Sequence, residues 1–214
     1  MNVLIADDHF LVQKGLEVIV GEVLGSHCSI SFASDGTQAI NKLLDLRYDI
    51  LIMDLLMPNT DGLELVSRSL KITPDLKILV VTINQENIFA PRYLGAGVHG
   101  FVNKKQSDEV LKEAILKISK GKRFISEELA ETFANSHTKK AVNNPFDSLS
   151  TREFEVTNLL LKGLGAIEIA NALSINTSTA SSYRARVFAK LNIKNFMELV
   201  RLSRQFDILD DAHE

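Results

Sequence analysis

Short apolar runs alternate with amphipathic stretches through the first 120 residues. The runs at 2–6, 29–33, 50–53, 77–82 and 99–103 have the length of strands and are rich in Val, Ile and Leu. Several are apolar at nearly every position, which predicts strands buried on both faces. Between them, helical periodicity predicts helices over 10–23, 36–46, 62–71, 86–94 and 107–120. Turn formers separate these elements at Ser34-Asp35-Gly36, from Pro58 to Gly62, at Thr73-Pro74-Asp75, at Gly95-Ala96-Gly97 and at Gly100. Five strand–helix repeats predict an α/β fold with a doubly wound, five-stranded parallel sheet, because right-handed crossovers place helices on both faces.

The pattern changes after residue 123. One short helix is expected over 126–135, with Ser126 as its cap. Residues 136–147 are polar, contain Pro145 and show no period, so 124–147 reads as a linker carrying that short helix. From Leu149 onward the pattern is helical. Ser150 or Thr151 is expected to cap a helix reaching about residue 162, with Glu153 or Phe154 near its third position, and Gly163 and Gly165 end it. An alanine-rich helix over 166–173 and a tight turn at 174–176 follow. A third helix, capped by Thr177 or Ser178, runs to about Leu191, and a fourth spans 195–204. Two short helices joined by a tight turn suggest helix-turn-helix. The expected organisation is therefore an α/β domain at 1–123, a linker at 124–147, a four-helix all-α domain at 148–204 and a tail at 205–214.

Composition adds little, and charge distribution adds more. The hydrophobic and charged fractions, 45% and 24%, are those of an ordinary globular protein. No apolar run approaches the roughly 20 residues of a membrane span, and the first residues turn acidic at once, so neither a membrane segment nor a secretory leader is expected. Cys28 is the single cysteine; it reads as a passive thiol beside a strand and fits a reducing cytoplasm. Net charge is −1 over 1–123, −2 over 124–147, +4 over 148–204 and −4 over 205–214. A modest positive field thus sits on the C-terminal helical module.

Candidate chemistry lies at the strand ends. Asp7 and Asp8 end the first apolar run and Asp54 ends the third. Parallel sheets carry their ligand sites at the C-terminal strand ends, so three carboxylates converge on one edge. Such a cluster needs a cation, and all-oxygen ligands favour a hard one. Mg2+ suits a site with few protein ligands and a phosphate-bearing partner. Asp54 is the candidate nucleophile, giving an aspartyl-phosphate. Asp7, Asp8 and Asp54 are candidate Mg2+ ligands, with the backbone carbonyl of Leu56 as a further one. Thr82 and Lys104, at the ends of the fourth and fifth strands, supply a hydroxyl and a cation over the same edge.

These residues, with Met57-Pro58, Asp61-Gly62, Leu94-Gly95-Ala96 and Gly100-Phe101 before Lys104, resemble a response-regulator receiver domain of the CheY-like, flavodoxin-like class over residues 1–120. The resemblance implies that Asp54 accepts phosphate from a phosphohistidine of a sensor histidine kinase or phosphotransfer protein. It implies that Thr82 and Phe101 form the switch, Phe101 turning inward behind the hydroxyl. His9 either tunes the acid site or simply opens the first helix. Three positions depart from the family pattern: Ile83 stands where a small residue is usual, Asn84 follows at a position implied to orient or block water, and Lys105 replaces proline. Ile83 is expected to narrow access to Asp54 and slow phosphate exchange.

Residues 148–204 resemble the LuxR-type helix-turn-helix of the NarL/FixJ response regulators, through Leu149-Ser150, Arg152-Glu153, Gly163, Glu168-Ile169-Ala170, Ile175, Thr179 and Lys190-Leu191. Helical spacing by itself puts Ala180, Val187 and Leu191 on one apolar stripe and Ser178, Ser182, Ala185, Arg186 and Lys190 on the opposite side. Small side chains admit a helix backbone to base edges, and cations hold phosphates. Arg184 and Arg186 lie about 200° apart around the helix, so only one faces the groove; Arg186 is chosen and Arg184 is expected to snorkel beside the stripe. By resemblance, Ser181, Ser182 and Ala185 read bases, while Thr179, Tyr183 and Arg186 contact the backbone. Serines at 178 and 181 replace the lysines usual there, which predicts weaker binding and a shallower salt dependence, offset by a homodimer on two half-sites. Met197 and Val200 belong either to the dimer contact or to the domain core.

The reading is a cytoplasmic, bacterial, phosphorylation-controlled DNA-binding transcription regulator, a stoichiometric phosphoacceptor rather than an enzyme. Its partners are a kinase, double-stranded promoter DNA and a second copy of itself. The alternatives are phosphate-independent DNA binding, a protein-binding output, and a metal-dependent phosphatase with an aspartate nucleophile, for which the inserted lid and DxD pairing are missing.

Overall fold

The computed structural model describes residues 1–25, 28–84, 86–136, 144–173, 175–206 and 208, with the side chains of 132–136 outside the description. Contacts divide the chain into two units, Met1–Lys139 and Lys140–Glu214.

In the first unit the strands are β1 (Asn2–Ala6), β2 (Ser29–Ala33), β3 (Ile50–Met53), β4 (Lys77–Thr82) and β5 (Gly100–Asn103). They form one sheet in the order β2-β1-β3-β4-β5, every pair parallel. The helices are α1 (Phe10–Leu24), α2 (Gly36–Asp45), α3 (Gly62–Ile72), α4 (Glu86–Gly95) and α5 (Asp108–Ser119). The alternation of side chains along each strand explains the all-apolar runs. Val3, Ile5, Ile50, Ile52, Leu79, Val81 and Val102 pack with Leu16 and Val20 of α1 and Ala114, Ile115 and Ile118 of α5. Leu4, Leu51, Met53, Ile78, Val80 and Phe101 fill the opposite face and are equally buried. Asp35 caps α2 through Gln38 N–H, and Asp61 caps α3 through Leu63 and Glu64 N–H. The expected elements are all present, with ends displaced by one residue or so, as fraying ends are.

The expected linker is less of a linker than its sequence suggests. Phe124 is buried in the α1–α5 core, and its N–H bonds the His99 carbonyl at 2.9 Å beside β5. α6 (Glu127–Ser136) packs against α4 and buries Leu129, with Ser126 Oγ accepting Leu129 N–H at 3.1 Å. The body of the first unit thus continues beyond residue 123, because Phe124 and Leu129 find apolar partners that no periodicity announces.

The second unit opens with a 3-10 turn, Pro145–Ser148, followed by α7 (Thr151–Leu161), α8 (Ala166–Ala172), α9 (Thr177–Lys190) and α10 (Phe196–Gln205). Ser150 is the α7 cap and Glu153 closes a capping box. Gly163, at φ 83°, leaves α7 in the left-handed region. The expected cap of α9 is corrected: Asn176 holds that position, without a side-chain bond, and Thr177 is already helical. Phe146 anchors the core, its ring 6.4 Å from Phe154 and 6.3 Å from Phe206. Gln205 and Phe206 of the expected tail therefore belong to the body; residues 209–214 lie outside the described residues.

Candidate functional site

The acid site is held by the sheet's own ladder. Asp7 N–H bonds the Ala33 carbonyl at 3.0 Å, Asp54 N–H bonds Ala6 at 2.8 Å, and Lys104 N–H bonds Thr82 at 2.7 Å. Each functional residue is thus the first past its strand, pinned by the neighbouring strand, and all three stand at one edge. Asp7 and Asp54 are buried, at 1% and 3% exposure. Lys104 Nζ donates to Asp7 Oδ2 and Asp54 Oδ2, at 2.6 Å each. Burial presses this ammonium toward losing its proton, and the Asp54 and Asp7 carboxylates outweigh that, so its pKa lies above the ordinary lysine value. The other Asp54 oxygen, Oδ1, accepts Leu55 N–H at 2.6 Å and Leu56 N–H at 3.2 Å.

Asp8 joins Asp7 and Asp54, together with His9, in a cluster whose potential ligand atoms lie within 4.8 Å of one another. Three carboxylates against one ammonium leave two negative charges, which one divalent cation balances, so the donor set fits Mg2+. Thr82 is fully buried at the end of β4, and its Oγ1 accepts Asn84 N–H at 3.5 Å. Phe101 is fully buried, its ring 6.3 Å from that of Tyr93, and so stands in the inward position. Ile83 is 55% exposed.

Sequence reasoning missed two positioning residues. Gln13 Nε2 reaches back from α1 to the Asp7 carbonyl at 2.6 Å and the Ala33 carbonyl at 3.2 Å. Asn103 Nδ2 donates to the Asn84 carbonyl at 2.9 Å, and its Oδ1 accepts Lys105 N–H at 2.9 Å, so it ties the loop after Thr82 to the one carrying Lys104. Both contacts join segments distant in sequence, and no local pattern marks them.

On α9, Ala180, Val187 and Leu191 are buried as their spacing requires. Ser178, Ser181, Ser182, Ala185, Arg186 and Lys190 are exposed, with Thr179 and Tyr183 partly so. Ser182 Oγ donates to the Ser178 carbonyl at 2.9 Å. The Arg186 guanidinium lies 5.6 Å from the centre of the Tyr183 ring, one turn back, so the two act as a pair. Arg184 leans instead on Phe188, at 5.3 Å. Lys190, which helical spacing puts on the exposed side of α9, is exposed there and also tied to α7. Its Nζ bonds Glu153 Oε2 at 2.6 Å and the Ser148 carbonyl at 3.3 Å, which joins α9 to the start of α7. Met197 is 70% exposed, whereas Val200 is partly buried.

The family follows from the comparison with known proteins. Residues 3–116 match the response regulator receiver domain, and residues 147–203 match the bacterial regulatory proteins of the luxR family. The chain belongs to the receiver–LuxR response regulators. Response regulator UvrY of Escherichia coli strain K12 is 33% identical over 204 residues, covering 95% of this chain and 93% of that one. Response regulator GacA of Pseudomonas aeruginosa is 32% identical over 213 residues, 99% of each chain. Among solved structures, RcsB of Salmonella typhimurium aligns with a TM-score of 0.59 at 30% identity, over 94% of this chain and 98% of that one. An RcsB–DNA complex aligns with a TM-score of 0.57 at 28% identity, over 98% and 99%. No described helix of this response regulator is long and apolar enough to cross a membrane.

Proposed function

We propose that Asp54 is the phosphoacceptor of a phosphorylation-controlled, DNA-binding transcription regulator. One observation carries the reading: a single ammonium, Lys104 Nζ, bonds the carboxylates of both Asp7 and Asp54 at 2.6 Å. Phosphoryl transfer needs a carboxylate nucleophile and cationic groups for the phosphoryl oxygens. In the transfer, the P–N bond of a phosphohistidine on a sensor kinase or phosphotransfer protein breaks as a P–O bond to Asp54 forms. Leu55 and Leu56 N–H hold Asp54 Oδ1 and orient the carboxylate. Lys104 passes from the carboxylates to the new phosphoryl oxygens. Asp7, Asp8 and Asp54, with the Leu56 carbonyl, would hold Mg2+, which supplies charge neutralisation at the transferred group. The chain turns over no substrate beyond slow loss of its own phosphate, and Ile83 beside the switch slows that exchange further.

The phosphate adds roughly −1.5 to −2 charges, by analogy with phosphoserine. Thr82 answers it, and the loop through Asn84 moves with Thr82 because Asn103 clamps that loop. Phe101 already packs inward against Tyr93, so the signal passes through α4 and β5. To reverse a 1:99 population the phosphate must favour the active state by about 5.5 kcal/mol. The output is promoter DNA bound by a homodimer, as RcsB is solved on DNA and as two dimers on two DNAs. Ser181, Ser182 and Ala185 meet the bases, and Thr179, Tyr183 and Arg186 the phosphates. Ser178 and Lys190 lie at the two ends of that face, Lys190 in the weaker part because Glu153 already holds it. Met197 is the exposed candidate for the dimer contact. This reading places the protein in the bacterial cytoplasm.

Acetyl phosphate labelling with Mg2+, read as a mass shift, tests the reading. Wild type gains one phosphoryl group and Asp54→Asn none. Equal labelling of both would refute it, and equal DNA affinity of labelled and unlabelled wild type would refute the coupling.

A further inference from the structure

The end of α5 gathers positive charge. Lys117, Lys120, Lys122 and Arg123 fall within seven residues, and 114–126 contains no carboxylate. Residues 1–116 carry ten basic and 15 acidic side chains, net −5, so these cations are a local feature against an acidic background. Gly121, at φ 74°, turns the chain at the helix end, and Lys122 N–H bonds back to the Lys117 carbonyl at 3.0 Å. Lys120, Lys122 and Arg123 are exposed around that turn. The carbonyl end of a helix attracts cations, which is the ordinary reason for a lysine there. Lys77 Nζ, from the start of β4, already supplies one by donating to the Ser119 carbonyl at 3.3 Å. Lys117 pairs with Glu113 at 2.7 Å. Among the described residues, Lys120, Lys122 and Arg123 pair with no carboxylate. Their field reaches inward: burial first, and then Arg123 and Lys77, hold the His99 pKa below its ordinary value.

We propose that Lys120, Lys122 and Arg123 form a second contact for duplex DNA, holding backbone phosphates of the same duplex that α9 reads. Charge complementarity calls for a polyanion, and DNA offers one negative charge per ~1.7 Å of its axis. Such a contact makes up a shortfall on α9. Serines stand at 178 and 181, and Glu153 holds Lys190, so few cations of that face are left for phosphates. Once α9 has engaged, the α5 turn is tethered to the same duplex by its own chain, and its contact becomes intramolecular. Phosphate contacts carry no base information, so the turn adds affinity and salt dependence equally on all sequences. This inference rests on the DNA-binding reading above and extends it from the helical unit to the receiver.

The test is fluorescence anisotropy of the full chain on a duplex of about 40 bp, several helical turns, over a salt series. It compares wild type with a glutamine variant, Lys120→Gln/Lys122→Gln/Arg123→Gln, and a charge-keeping variant, Lys120→Arg/Lys122→Arg/Arg123→Lys. The glutamine variant should bind about tenfold or more weakly at about 0.1 M salt, and its slope of log affinity against log salt should fall by about 2–3 per bound chain. The charge-keeping variant should match wild type. An unchanged slope in the glutamine variant overturns the proposal. An equal loss in both variants also overturns it, since the cause is then the fold and not the charge. Vesicles of phosphatidylcholine and phosphatidylserine in equal parts test a membrane as the polyanion. Sedimentation of wild type with them but not of the glutamine variant, with DNA binding equal in the two, overturns the proposal as well. Arg186→Ala separates the two readings. Wild-type binding that weakens in Arg186→Ala, while the glutamine variant binds as wild type does, refutes the α5 contact alone. Wild type that binds no duplex refutes the DNA-binding reading itself, and the α5 contact with it.

Discussion

Replacing Lys104 by Met removes the ammonium that Asp7 and Asp54 share while keeping most of the side chain's unbranched stem. Both carboxylates are buried, and the ligand atoms of the cluster lie within 4.8 Å of one another. At an effective dielectric constant near 20, two like charges at that distance repel by about 3.5 kcal/mol. Breaking a buried ion pair by removing one partner typically costs ~3–5 kcal/mol, which agrees. Lys104→Met should therefore lower the stability of the first unit by about 3 kcal/mol without divalent ion. Mg2+ should restore much of it, since an ion at 100 times its dissociation constant adds ~2.7 kcal/mol and no longer competes with the lysine. Urea unfolding followed by circular dichroism, with and without Mg2+, reads both effects. A variant as stable as wild type without Mg2+, or one that gains no more from Mg2+ than wild type does, would show that the ammonium is not the counter-ion of the acid site.

Three further outcomes are expected. Gly62→Ala should destabilise by about 1–3 kcal/mol, because its Cβ would stand 2.5 Å from Tyr93 Oη and 3.2 Å from Leu55 Cδ2; Gly15→Ala, where nothing lies within 4 Å, should stabilise by about 0.5–1 kcal/mol, and thermal melts that rank the pair the other way would contradict the packing argument. The His99 pKa is held below its ordinary value, first by burial and then by Arg123 and Lys77, while its Nδ1 accepts Ile78 N–H at 3.3 Å. The fold favours the neutral ring, so this contribution is complete above the ordinary value of 6.5 and is lost as pH falls through the lower folded value; the urea midpoint should drop less between pH 7.5 and pH 5 in His99→Gln than in wild type. Arg186→Ala should weaken DNA binding about equally across sequences and reduce the salt slope by about 1, measured by anisotropy over a salt series; loss confined to one sequence would make Arg186 a base reader.

Much of this protein was legible in its sequence, and the reasons are local. Val3 to Ala6 and Ile50 to Met53 are short runs apolar at every position, a pattern that fits a strand covered on both faces. Asp7 and Asp54 follow those runs at once, so their place at the sheet edge comes with the strands. Ala180, Val187 and Leu191 declare the buried side of α9 by spacing alone.

Tertiary structure decided what depends on which segments meet. Lys104 lies 50 residues from Asp54, and only the β1–β3–β4–β5 order brings its ammonium to Asp7 and Asp54 together. Asn103 became the clamp on the Asn84 loop through β4–β5 pairing, and Lys190 of α9 found Glu153 through the packing of α9 on α7. His9, which sequence left between a tuning role and a helix start, turned its ring to the acids. Periodicity encodes which face of an element is buried, because that repeats along the chain. The partner of a single polar atom does not repeat, and it is set by where the fold leaves an unsatisfied charge or hydrogen-bonding group beside it.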